Sequence, residues 1–160
     1  MKVRFFHQKR GYTCGPASLK MVFDFFGLKM TEEKIAKIAK THKSGTSHLH
    51  IINTARKEGF YCYVHGGATI SQIKHFIDFD LPVIVNYIEQ KTKEGHYAVV
   101  IGYDRHGLIL NDPWDGGHYK IKYKEFYKNW YDYHGRDKYS RWFIVLSREK
   151  FNVGKQYGPL

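Results

Sequence analysis

The segment Gln8 to Ser18, QKRGYTCGPAS, places a cysteine, Cys14, at the point where a helix is about to begin. The unpaired N–H groups and positive dipole end of a helix favour thiolate over thiol, so the position suits a nucleophile. Gly15 removes a side chain beside the sulfur, which is expected to let an extended backbone approach it. Gln8 lies six residues upstream of Cys14, and its amide N–H is placed to return to the same site as an oxyanion donor. His96 stands at the entrance to the apolar run Tyr97 to Ile101, and Asp112 at the exit of Leu108 to Leu110. Midway between them is Asp104, in the turn-rich stretch Gly102 to Gly107, so a hairpin folding there brings imidazole and carboxylate to one sheet end. An imidazole oriented by a carboxylate, with its other ring nitrogen facing a cysteine sulfur, is the constellation of acyl transfer through a thioester. Taken singly, each part has a plainer reading: a structural cysteine capping a core helix, and polar residues that stop strands.

The elements that must position these residues follow from patterning. Gly15 to Phe26 reads as a helix with Ala17, Met21, Val22, Phe25 and Phe26 on its apolar face, Pro16 in its first turn and Gly27 as its stop. Thr31 before Glu32 and Glu33 opens a second helix, and Ser47 to Glu58 forms a third that Gly59 ends. Phe60 to Val64 is a short strand with Cys62 as a small buried residue, and Thr69-x-x-Gln72 has the form of a capping box. Strands are expected at Leu81 to Ile88, Tyr97 to Tyr103, Leu108 to Asn111, Tyr119 to Tyr123 and Arg141 to Leu146, with a short helix around Lys124 to Trp130. Gly66-Gly67, Gly116-Gly117 and Asp132 to Lys138 read as loops. Helices precede sheet, so the class is α+β, with N-terminal helices packed on a C-terminal antiparallel sheet. Residues 1–146 form the domain, and 147–160 read as a loosely held tail.

Composition bounds the rest. The 160 residues are 42% hydrophobic and 26% charged, enough for one core and unlike a disordered chain. No apolar stretch reaches the roughly 20 residues of a membrane helix, and charge returns at His7 to Arg10 before a signal segment forms. With two cysteines, no disulfide framework is available, so a reducing, cytoplasmic setting is expected. The sequence holds neither Cys-x-x-Cys nor His-Glu-x-x-His, and His48-x-His50 alone is a weak metal signal, so no metal or other cofactor is assigned. Lys plus Arg exceeds Asp plus Glu by 26 to 15, which attracts acidic partners without naming one. The lysines are dispersed, and the aromatics between Tyr119 and Trp142 suit a core or a peptide groove better than base stacking, so nucleic acid is not the expected partner. Oligomeric state is not encoded in these features.

The order Gln8, Cys14-Gly-Pro-Ala-Ser, Gly95-His96-Tyr97-Ala98-Val99-Val100-Ile101-Gly102-Tyr103-Asp104 and Asn111-Asp112-Pro113-Trp114 resembles the C39-like cysteine peptidases of the papain-like fold. The resemblance runs through about residues 5 to 146. It implies Cys14 as nucleophile, His96 as general base and acid, Asp112 as its orienter and Gln8 as part of the oxyanion hole. Gly15, Tyr97 and Trp114 are expected to contact a peptide or protein substrate, with Trp114 also shielding the His96–Asp112 pair. Bacteriocin-processing relatives of that family cut leader peptides after a Gly-Gly pair, which makes a leader or precursor peptide one candidate substrate. The alternatives are a catalytically silent peptide-binding domain of the same fold and a papain-like acyltransferase.

Overall fold

The computed structural model describes residues 1–152 and 154–160. Helices α1 (Cys14–Phe25), α2 (Glu32–Ile38) and α3 (His48–Lys57) precede strand β1 (Tyr61–His65), followed by α4 (Ile70–Asp78), β2 (Val83–Ile88), β3 (Gly95–Tyr103), β4 (Gly107–Asp112) and β5 (Gly116–Lys122). The chain continues through α5 (Tyr123–Asn129), β6 (Tyr131–His134), β7 (Asp137–Ser140), β8 (Phe143–Ser147) and β9 (Gln156–Tyr157). The expected α+β class and antiparallel sheet are both present. Seven strands pair in the order β5-β4-β3-β2-β8-β1-β9, every pair antiparallel.

Local chemistry accounts for most boundaries. Thr31, Ser47 and Thr69 each accept a backbone N–H at the start of α2, α3 and α4, and Thr69 with Gln72 completes the capping box. Gly27 and Gly59 stop α1 and α3 at φ of 84° and 89°, where a Cβ would be strained. The central strands are covered on both faces, which is why they read as unbroken apolar runs. Tyr97, Val99 and Ile101 pack with Leu19, Met21 and Ile51 of α1 and α3, while Ala98 and Val100 pack with Ile73 and Phe126 of α4 and α5.

Three expectations are corrected. Gly116-Gly117 is no loop but opens β5, Gly116 pairing with Asp112. The stretch 132–138 is no loop: β6 and β7 form a separate two-stranded hairpin, Tyr131 pairing with Ser140 and His134 with Asp137. Its strands are only 4 residues long and largely exposed, so no buried alternation marks them. The C-terminal segment is no loose tail either. Gln156 and Tyr157 add an edge strand to β1, and Arg56 Nε donates to the Gly158 carbonyl at 2.7 Å while Leu160 N–H donates to the Arg56 carbonyl at 3.0 Å. On the C-terminal segment itself that anchoring uses backbone groups, to which composition is blind.

Candidate active site

Cys14 is the first residue of α1, the one long N-terminal helix whose start lacks a side-chain cap. The Thr13 hydroxyl is turned to Arg10, accepting its N–H at 3.1 Å and donating to its carbonyl at 3.0 Å. The helix therefore presents its N-terminal dipole to the sulfur uncompensated. The Tyr97 N–H, adjacent to His96, donates to Cys14 Sγ at 3.5 Å, so helix and strand meet at the sheet end.

The β3–β4 hairpin turns where expected, Asp104 N–H reaching the Gly107 carbonyl at 3.0 Å. Val99 pairs with Asn111 and a bulge shifts the register between Val100 and Gly102, which makes His96 and Asp112 diagonal neighbours on one face. His96 Nε2 and Asp112 Oδ1 lie 2.7 Å apart, leaving Nδ1 for the sulfur. Burial alone would push the imidazolium pKa down. The charge of Cys14 and the hydrogen bonds the ring makes to Asp112 and Cys14 outweigh it and raise His96 to about 10, which favours the protonated ring at neutral pH. Asp112 is fully buried. Burial pushes its carboxyl up, but the His96 bond and charge, with a hydrogen bond from Tyr87, hold it below the ordinary range. Trp114 and Asp115 N–H groups add bonds to Asp112 Oδ1 at 2.9 and 3.0 Å.

Gln8 is buried beside this group, and its N–H is bound to the Pro113 carbonyl at 3.0 Å, which ties the N-terminal segment to the loop after Asp112. Its Nε2 donates to the Arg10 carbonyl at 2.7 Å, leaving one amide N–H uncommitted. Cys14 borders two clefts. The larger, about 530 Å³, is lined by Gly11, Thr46, Gly95, Tyr97, Asp132 and His134 among others; the smaller, about 250 Å³, by Gln8, Glu89, His96 and Trp114.

The three residues expected to touch substrate fare differently. Tyr97 lines the larger cleft but is buried, its hydroxyl donating to the Thr46 carbonyl at 2.8 Å. Trp114 borders the smaller cleft and is 46% exposed. Gly15 requires correction. A Cβ there would meet Thr46 Oγ1 at 3.0 Å and Ile51 Cδ1 at 3.1 Å, so the missing side chain serves packing against the residues before and within α3, and Gly11 lines the cleft instead. Tyr87 ends an apolar run, so the sequence pattern by itself does not single it out as a site residue. It pairs directly with His96 across β2–β3 and donates to Asp112 Oδ2. A tyrosine on the same face as the histidine was the available signal, since a buried hydroxyl needs a partner. Cys62 lies fully buried in β1, and desolvation pushes its thiol up to about 12.

A cysteine heading a helix against an antiparallel sheet, with histidine and a carboxylate at the sheet end, defines the papain-like class. Within it the chain belongs to the peptidase C39 family, whose sequence pattern matches residues 2–134. It is 32% identical over 105 residues to the transport/processing ATP-binding protein ComA of Streptococcus pneumoniae, covering 62% of this chain and 14% of that protein. An uncharacterised protein of Methanothermobacter thermautotrophicus is 31% identical over 106 residues, 66% of this chain and 68% of its own length. Among solved structures, the peptidase domain of Streptococcus ComA aligns with a TM-score of 0.76 at 25% identity, covering 92% of this chain and 100% of that one. A double glycine motif protease from an AMS/PCAT transporter, in complex with its leader peptide, aligns at 0.71 and 21% identity over 91% of both chains, a likeness of fold. Among the described residues, no helix is long and apolar enough to cross a membrane.

Proposed function

We propose that this protein is a cysteine peptidase that cleaves a leader or precursor peptide through a thioester on Cys14. The observation that carries the reading is the His96 ring, bonded through Nε2 to Asp112 at 2.7 Å and raised in pKa by the adjacent Cys14. A scissile peptide laid past the head of α1 would occupy the larger cleft on one side of the sulfur and the smaller on the other. The Cys14 sulfur attacks the carbonyl carbon, and the developing oxyanion is met by the free Gln8 amide N–H and the N–H groups at the uncapped helix start. His96 then gives its proton to the leaving amine, takes one from water, and the hydroxide so formed releases the acid from the thioester. Asp112 keeps the ring oriented and stabilises its charge throughout.

Membership of the C39 family and the double-glycine and processing relatives support a peptide with a Gly-Gly pair before the cut. The free thiols of Cys14 and Cys62 fit a reducing compartment such as the cytoplasm. The test is incubation with synthetic precursor peptides carrying Gly-Gly at varied positions, followed by mass spectrometry of products and of the enzyme. Cleavage with a transient acyl adduct on Cys14 is expected, and turnover that survives Cys14→Ala overturns the reading.

A further inference from the structure

The geometry points to Asn86 as a positioning residue that ties the strand carrying His96 to the wall of the larger cleft, an inference that rests on the peptidase reading for its catalytic consequence. Asn86 lies in β2 opposite Tyr97 and is 2% exposed. Its Nδ2 donates to the main-chain carbonyl of His96 at 3.3 Å and to Asp132 Oδ2 at 3.0 Å. Two oxygen acceptors on one side fix the orientation of the amide, so Oδ1 is an acceptor and His48 Nε2–H donates to it at 2.7 Å. His134 Nε2 lies 3.4 Å from the same oxygen and 3.5 Å from Asp132 Oδ2. One buried amide thus joins β2, β3, the start of α3 and the β6–β7 hairpin.

The neighbours of this amide show that the junction is built. His48 stacks on Trp142, centroids 3.9 Å apart and planes 11° from parallel. Its burial pushes the imidazolium down to about 4, which keeps the ring a neutral donor of a single proton. Asp132 fills the space above Gly95, where a Cβ would stand 2.1 Å from either carboxylate oxygen. The hairpin therefore rests directly on the residue preceding His96, and both Gly95 and Asp132 line the cleft. Among the described residues the short hairpin pairs with no strand of the main sheet, so this polar junction, with the Gly67 N–H bond to the Ser140 carbonyl at 2.9 Å, restrains where that wall stands. With the tie intact, wall and base form one rigid frame.

The test compares the full chain with Asn86→Ala, Asn86→Asp, and Asn86→Asp combined with Asp132→Asn. Hydrogen exchange of residues 131–140 and the rate of Cys14 alkylation by iodoacetamide are followed across pH. Losing the amide is expected to speed exchange in the hairpin about tenfold and to slow alkylation at pH 7 several-fold. Asn86→Asp sets two carboxylates against each other and should release the hairpin likewise. Adding Asp132→Asn supplies a donor from the other side and should restore hairpin protection, while alkylation stays slow because the His96 carbonyl still lacks its donor. Wild-type exchange of 131–140 in both single variants, or a double variant no better protected than Asn86→Asp, overturns the inference. If the exchange pattern holds and no precursor peptide is cut, the peptidase reading fails and the tie stands.

Discussion

Tyr87 and His96 face each other across the β2–β3 ladder, and both side chains end on the carboxylate of Asp112, the ring on Oδ1 and the phenol on Oδ2. The carboxylate is thereby gripped from both oxygens inside a fully buried setting. Removing one grip with Tyr87→Phe leaves a buried acceptor short of a donor, at a cost of about 1–3 kcal/mol. Asp112 has a depressed pKa, so its contribution to stability is present above the ordinary carboxylate value and is lost as pH falls through the folded one. Tyr87→Phe should therefore begin acid unfolding at a higher pH, with KM for a cleaved peptide little changed. Urea melts from pH 2 to 7 would show it, and coincident curves would count against the grip.

The sign is opposite for His96. Its folded pKa is raised to about 10 from 6.5, so its stabilisation is complete below 6.5 and declines as pH rises through the folded value. Nitrogen-15 spectra of the imidazoles at pH 7.5 should show His96 protonated and His48, held down near 4, neutral. In Asp112→Asn the His96 titration should move to lower pH. A His96 that is already neutral in the wild type at pH 7 would remove the basis of the proposed proton transfer to the leaving amine.

Gln8 lines the smaller cleft together with Cys14, and its amide has one N–H committed to Arg10 and one uncommitted. Gln8→Ala is expected to lower kcat about 10² to 10³-fold, the effect of one oxyanion donor. Cys14→Ala should abolish turnover. Alkylation of Cys14 in Gln8→Ala should stay near the wild-type rate, since no oxyanion forms in that reaction. Equal loss of both activities would assign Gln8 a purely structural part.

Gly15→Ala tests the packing correction. Its new methyl meets Thr46 and Ile51 at 3.0 and 3.1 Å, an overpacking expected to cost about 1–3 kcal/mol. Shortening Ile51 to Val in the same protein should recover part of that loss, as read by thermal or urea melts. An unchanged melting curve for Gly15→Ala would return the glycine to the role of clearing space for substrate.

The two cysteines should separate cleanly. Cys62 is fully buried with its thiol raised to about 12, whereas Cys14 borders both clefts. Limiting iodoacetamide on the folded protein should modify Cys14 alone, and both only after denaturation, as peptide mapping would report.

Much of this molecule is legible in its order of residues because the signals are local. A hydroxyl three residues ahead of an unpaired N–H caps a helix wherever it occurs, so Thr31, Ser47 and Thr69 announce α2, α3 and α4. The apolar runs of β2 and β3 and the turn at Asp104 likewise placed His96 and Asp112 at one sheet end. What stayed hidden depends on contacts between distant segments. Asn86 lies 46 residues from Asp132 and 38 from His48, and no local period links them. The β6–β7 hairpin carries no buried face to betray its strands, and the C-terminal strand is held through backbone groups.

The sequence alone determined the class of fold and the chemical groups at hand, a cysteine at a helix start and a histidine and aspartate at strand ends, because capping and patterning act over a few residues. Tertiary structure decided which atoms share the Asp112 carboxylate, what fills the space beside Gly15, and how the cleft wall is fastened to the base. Those outcomes depend on a bulge in one ladder and on buried hydrogen bonds between segments far apart in the chain, and such bonds are specified only once the chain has closed on itself.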